Sequence, residues 1–233
     1  MNRGKICVSI AGIDAAAVHN EVQPVLDKVD VVEVRLDSMT DPEVAKCCAM
    51  LRKPLLFTNR PVWEGGGFSG FEDDRTRPLF DAVELQAAYV DFELRADPIL
   101  RGQLLVAMES APTRMIISWH DFESTPTTEE LDQVLELMMA SGAHIGKIVT
   151  TAHTPSDVLR VLELQERALT AGFLLSCFCM GEAGRISRLA TLYLGGYMTY
   201  GAVNDSQATA PGQLTVDRLY GLCQEFEQGS ADG

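Results

Sequence analysis

Lys147 stands in the run His144-Ile145-Gly146-Lys147-Ile148-Val149, an amine set among apolar residues. Burial strips an ammonium of its hydration and favours the neutral amine. A neutral amine attacks a ketone or aldehyde, and the protonated imine that results draws electrons from the adjacent carbon. The same lysine also suits an ion pair with Glu33 or Glu93, or a stem that carries its head out to water. His120, in Ser118-Trp119-His120-Asp121-Phe122, has the side chain best suited to moving protons near neutral pH. A hydrogen-bonded structural histidine is the other reading of that position.

Charged residues recur around these two at regular spacing. Glu33, Arg35 and Asp37 alternate with Val32, Val34 and Leu36, so a strand there puts three charges on one face. Asp91 and Glu93 repeat the alternation, Ser118 and His120 close another apolar run, and Arg60 lies just past the run at 55–58. Arg188 follows the segment 177–187, where an arginine either clamps a carboxylate bidentately or pairs with a helix neighbour. The small-residue stretch Ala208-Thr209-Ala210-Pro211-Gly212-Gln213 reads as a connector, or as a lid that folds a hydroxyl and an amide onto a ligand.

Two other chemistries have weaker support. A metal site could be assembled from Glu33, His120, Asp121 and His153, but no local spacing such as H-x-x-x-H accompanies them. Gly65-Gly66-Gly67-Phe68-Ser69-Gly70 matches G-x-G-x-x-G, yet it does not follow a strand directly, and Glu72, Asp73 and Asp74 come next. Those anions occupy the place where a diphosphate needs a bare helix N-terminus. The segment reads instead as a flexible loop over the end of the third strand, carrying Glu64.

The elements that must position these residues follow from hydrophobic period. Short apolar runs at 6–10, 31–35, 55–58, 90–94, 115–119, 145–150, 174–178 and 198–201 predict strands. Helices are predicted near 15–28, 42–51, 78–88, 98–107, 128–140, 155–171, 184–194 and 215–226. Pro42, Pro78, Pro98 and Pro155 open four of them, and Asp41, Asp97, Thr127 and Thr154 are placed to cap. This repeat predicts an α/β chain folded as one (β/α)8 barrel domain over residues 1–233, with an open doubly wound sheet as the competitor. Charges that end five separate strands need a common meeting point. A closed barrel supplies one, whereas an open sheet offers two crevices at most.

The 233 residues hold 19 Lys and Arg against 33 Asp and Glu, a formal charge of −14. That balance argues against a binder of nucleic-acid phosphates. Six cysteines form no C-x-x-C pair, which disfavours structural zinc and fits reduced, buried thiols and a cytoplasmic address. Arg3 and Lys5 before the run Ile6–Ile13 imitate a signal peptide, but Ser9, Gly12 and Asp14 interrupt the pattern. The longest uncharged stretch, 169–181, is too short to span a bilayer.

Read in order, Glu33-Val34-Arg35-Leu36-Asp37, Arg60 with Glu64-Gly65-Gly66, Asp91-Phe92-Glu93, Trp119-His120-Asp121-Phe122, Lys147, Met180-Gly181 with Ile186-Ser187-Arg188, and Ala210-Pro211-Gly212-Gln213 resemble the type I 3-dehydroquinate dehydratases. The likeness covers nearly the whole chain. It implies a (β/α)8 barrel, commonly a homodimer, that needs no cofactor or metal and converts 3-dehydroquinate to 3-dehydroshikimate plus water in the shikimate pathway. By the same resemblance Lys147 is the imine-forming lysine, His120 the proton shuttle and Glu64 the carboxylate that orients it. Glu33, Arg35 and Arg60 stand for the residues around the ring hydroxyls and the reacting centre, Arg188 for the carboxylate clamp and Gln213 for the lid amide. Ser9 and Thr209 complete the implied substrate-binding set.

Three positions depart from the family pattern. Thr209 replaces a serine, which keeps the hydroxyl and stiffens χ1. Tyr200 replaces a phenylalanine, and the segment 203–207 is slightly longer. The nearest alternative is another Schiff-base barrel lyase, such as a class I aldolase or a transaldolase. Those enzymes mostly take phosphorylated sugars, and no glycine-rich phosphate cradle follows the last two strands here. A barrel that only binds or scaffolds would leave the convergence of Lys147, His120 and Glu33 without a reason.

Overall fold

A computed structural model describes residues 3–228. The apolar runs form eight strands: β1 (Lys5–Ile10), β2 (Val31–Arg35), β3 (Leu55–Thr58), β4 (Tyr89–Glu93), β5 (Arg114–His120), β6 (Ile145–Thr151), β7 (Leu174–Met180) and β8 (Met198–Gly201). Neighbours pair in parallel in the order 7-6-5-4-3-2-1-8. The two ends of this sheet meet. At the seam the Tyr197 N–H donates to the Leu175 carbonyl at 2.8 Å, and the Met198 N–H donates to Ser176 Oγ at 3.0 Å. The ring is therefore a nearly closed (β/α)8 barrel, and the open-sheet alternative is set aside.

Alternation along each strand divides the core in two. Val8, Val32, Val34, Phe57, Phe92 and Ile148 point outward and pack beneath the helices. Cys7, Val31, Leu56, Tyr89, Ile116 and Ile145 point into the lumen and fill its lower part. Above them the inward positions turn polar, and register aligns the change: Ser9 lies beside Glu33, Thr58 beside Asp91, and Ser118 beside both Glu93 and Lys147. The strand C-terminal ends thus carry a charged floor over an apolar plug.

The outer layer is α1 (Ala15–Val22), α2 (Val44–Met50), α3 (Glu72–Glu84), α4 (Pro98–Met108), α5 (Thr128–Ala140), α6 (Pro155–Thr170), α7 (Arg185–Tyr193) and α8 (Val216–Gln228). Three boundaries differ from the sequence reading. The first helix becomes a 3₁₀ turn over Gln23–Lys28, because Pro24 has no N–H to continue the α-helical ladder. The third begins at Glu72, six residues before Pro78, since three acids in its first turn favour the positive end of the helix dipole. The second starts at Val44 without a side-chain cap from Asp41. Asp97, Thr127 and Thr154 do cap, the two threonines within full capping boxes.

All six cysteines are free thiols. No described helix is long and apolar enough to cross a membrane. The seam offers a test of closure. Ser176→Ala leaves the buried Met198 N–H without its acceptor, which costs about 1–3 kcal/mol. Urea unfolding followed by circular dichroism should show a lower midpoint at unchanged slope; equal midpoints would show that this hydroxyl does not hold the seam.

Candidate active site

The strand C-terminal ends converge on one cavity with about 530 Å³ of empty space, its open mouth included. Glu33, Arg35, Arg60, Glu64, His120, Lys147, Arg188, Thr209 and Gln213 all line it. Ser9 does not. It sits in the adjoining cleft that shares Arg35 and Thr209 with the cavity, and its buried hydroxyl has no hydrogen-bond partner.

Lys147 points inward from the middle of β6 and is 6% exposed. Its surroundings are acidic rather than apolar: Nζ lies 3.3 Å from Asp91 Oδ2 and 3.8 Å from Glu33 Oε1. It also stands 4.2 Å from the centre of the Tyr200 ring. Of the two acids anticipated as partners, Glu33 is present and Glu93 is not, because Glu93 is held between Arg60 at 2.7 Å and Arg75 at 2.6 Å. Arg60 also reaches Asp91 at 2.9 Å and donates to Ser118 Oγ at 2.7 Å. Burial alone would push the Asp91 carboxyl up. The Arg60 guanidinium, Lys147 and the Ser118 hydroxyl outweigh burial and hold Asp91 well below the usual carboxylate range, so it stays an anion.

His120, at the end of β5, places Nδ1 2.8 Å from Glu64 Oε2. A carboxylate only accepts, so Nδ1 carries the hydrogen and the Nε2 lone pair is left free. Burial drives His120 well below the ordinary histidine value, and the nearby cations Arg60 and Lys147 add to the shift. The ring is therefore neutral at neutral pH, with the Nε2 lone pair available to accept a proton. Glu64 is buried by a short turn after β3. That turn, expected from its glycines to be a flexible loop, is hydrogen-bonded to its own start: the Phe68 and Gly66 N–H groups bond to the carbonyls of Arg60 and Pro61. Gly65 takes φ 73° there, and any Cβ at Gly66 would overlap the Arg60 carbonyl.

Arg188, 1% exposed, enters from α7 and rests its guanidinium 4.9 Å from the centre of the Phe178 ring. Among the described residues no carboxylate pairs with it. Its hydrogen bond is a 3.4 Å contact from Nη2 to the Pro211 carbonyl, and Nε has no acceptor. Uncompensated burial lowers it to about 10. An otherwise unmatched guanidinium in a cavity is a receptor for a carboxylate. Arg35, in contrast, is held bidentately by Asp37 at 2.8 and 2.6 Å. In the loop that also carries Pro211, the Thr209 N–H and hydroxyl both donate to Gln213 Oε1, at 2.7 and 3.2 Å. His153 lies apart, against the Glu123 carbonyl at 2.7 Å, so the four residues considered as metal ligands do not converge.

Comparison with known proteins agrees with this geometry. The profile of the type I 3-dehydroquinase family matches residues 6–229. The chain belongs to the type I 3-dehydroquinase family. A 3-dehydroquinate dehydratase of Desulfotalea psychrophila is 43% identical over 97% of this chain and the whole of its own length. The bifunctional 3-dehydroquinate dehydratase/shikimate dehydrogenase of Arabidopsis thaliana is 36% identical over 83% of this chain and 32% of its own. Among solved structures, the dehydratase of Geobacillus kaustophilus superposes with a TM-score of 0.88 at 26% identity, covering 97% of this chain and 91% of that one. The type I enzyme of Clostridium difficile, solved with covalently modified comenic acid, gives 0.86 at 27% identity, over 97% and 94%.

Within this type I 3-dehydroquinase two lining residues, Thr58 and Phe122, and one residue behind the cavity, Arg95, escaped the sequence reading. Thr58 donates to Glu33 at 2.8 Å and was visible only as the last residue of an apolar run. Phe122 stacks on His120 with ring centres 5.8 Å apart; nothing but its place in the strand-five motif signals it. Arg95 contacts Glu64, and its position two residues past Glu93 was the available clue.

The depressed His120 value fixes a pH dependence of stability. The unfolded chain takes up a proton near pH 6.5, while the folded site resists it. Folding stability is therefore complete above that pH and lost as pH falls toward the lower, folded value. The unfolding free energy should drop more steeply below about pH 6.5 for the native chain than for His120→Asn. Parallel curves would contradict a neutral, resisting imidazole.

Proposed function

We propose that this chain dehydrates 3-dehydroquinate to 3-dehydroshikimate through an imine on Lys147, with His120 moving the proton. The observation that carries the reading is the convergence of an inward lysine, a free imidazole nitrogen and an unmatched arginine on one cavity. Arg188 receives the substrate carboxylate, and that contact turns the ring so that its ketone faces Nζ. The deprotonated Nζ attacks the carbonyl carbon. The carbonyl oxygen takes up the proton that Nζ released and one of the two still on the nitrogen, and leaves as water, giving a cationic imine. Asp91 and Glu33, which flank Nζ, stabilise the positive charge of that iminium.

Nε2 of His120 then takes the proton from the carbon beside the imine. The released electron pair moves into the imine and forms an enamine. When the enamine collapses back, the neighbouring C–O bond breaks and the departing hydroxyl takes the proton from His120, leaving as water. Hydrolysis of the imine frees the product and restores the amine. Glu64 stabilises the imidazolium formed between the two proton transfers. Glu33, Arg35, Arg60 and the rim residues Thr209 and Gln213 bind the ring hydroxyls, and Ser9 approaches from the adjoining cleft. The family resemblance further supports a cytoplasmic homodimer.

Borohydride added with 3-dehydroquinate should leave one reduced ligand on Lys147, seen by mass spectrometry. Lys147→Ala should lose both label and turnover; a saturated enzyme that never labels would reject the imine. His120→Ala should still label while dehydration slows by about 10²–10⁴-fold. Undiminished turnover in that variant would remove His120 from the mechanism.

A further inference from the structure

Arg95 lies outside the cavity, just past β4, yet it is tied to the proton-transfer pair. Its Nε donates to Glu64 Oε1 at 3.0 Å, Nη2 approaches the same carboxylate at 2.9 Å, and Nη2 donates to the His120 carbonyl at 3.1 Å. Its guanidinium also stands 6.0 Å from the Trp63 ring centre and 5.8 Å from that of Trp119. One side chain from the β4 end therefore bridges the turn that carries Glu64 and the strand end that carries His120. Two indoles limit its freedom on either side. The side chain is 48% exposed, so it needs no burial for its own stability.

We infer that Arg95 is a positioning residue for His120: it holds the Glu64 carboxylate aimed so that Nδ1–H stays engaged and Nε2 faces the substrate. This role rests on the reading of His120 as the proton-transfer group. Glu64 and His120 sit among Arg60, Arg35 and Lys147 on the cationic side and Asp91 and Glu93 on the anionic side. Burial outweighs the opposing Arg60 and Arg95 and leaves Glu64 above the ordinary carboxylate value, so the loss of either cation would raise it further. Arg60, at 3.6 Å, is already engaged by Asp91 and Glu93. Arg95 has no other carboxylate among its described contacts, so its charge acts on Glu64 undivided. Removing that charge favours protonation of Glu64 and of His120, which share one hydrogen bond.

The test is Arg95→Leu beside Arg95→Lys. For Arg95→Leu the acid limb of kcat/KM should move up by about one pH unit. That shift lowers the rate roughly tenfold on the acid side and far less above it. KM should stay within about twofold, because Arg95 does not line the cavity. Arg95→Lys, which keeps a charge, should restore most of the acid limb. An unshifted limb, or a loss equal at every pH, would overturn the assignment. Two readouts need no substrate and remain decisive if the imine mechanism fails. The His120 titration midpoint, followed by NMR, should rise in Arg95→Leu; an unmoved midpoint contradicts the proposal. The chain's two tryptophans are the pair that flanks Arg95, so indole emission of the folded variant should change, and an unchanged spectrum would show that the clamp is absent in solution.

Discussion

Arg60 neutralises the carboxylates at the floor of the cavity, and the placement of the other groups depends on it. It engages Asp91 and Glu93, approaches Glu64 and donates to Ser118, joining the ends of β3, β4 and β5. Buried carboxylates without such a partner would take up protons or draw in water. Because Arg60 satisfies one oxygen of Asp91, the other faces Lys147. Because Arg75 shares Glu93, that acid is removed from competition for the lysine.

The arrangement is locally balanced although the chain carries a formal charge of −14. Arg35 is matched by Asp37, Arg60 and Arg75 by acids, and Lys147 by two carboxylates. Arg188 is the exception. Its burial without a counter-ion is costly in the free protein, and the cost is recovered when an anion arrives. In the proposed mechanism this is a physical basis for selecting a substrate with a carboxylate, in a molecule whose overall field repels anions.

His120 illustrates the opposite use of burial. Desolvation and neighbouring cations keep the ring uncharged, while Glu64 fixes which nitrogen holds the hydrogen. In the proposed reaction, a base that is neutral at rest and flanked by a carboxylate gains stabilisation only when it becomes charged. The turn carrying Glu64 is bonded to the backbone of Arg60 and Pro61. The glycines between Glu64 and Phe68 permit that close approach, a use of glycine that composition alone does not reveal.

The order of apolar runs, the alternation of Glu33, Arg35 and Asp37, and the lysine inside an apolar segment were legible in the linear chain. They report local preferences, and period two is enough to say which side chains share a face. From them follow the strands, the barrel and the set of residues able to meet. Helix starts at Glu72 and Val44, the 3₁₀ turn after Val22 and the pinned glycine turn were not legible, since each balances local preference against packing. Pairing choices were equally hidden. Whether Lys147 meets Asp91 or Glu93, whether Ser9 faces the cavity or its neighbour, and whether Arg188 finds an acid depend on ångström-scale distances between distant strands. Sequence determined which charges stand at the barrel mouth; only tertiary structure decided which neutralise one another and which remains for a ligand, because Coulomb energy in a desolvated site depends on separation rather than on order along the chain.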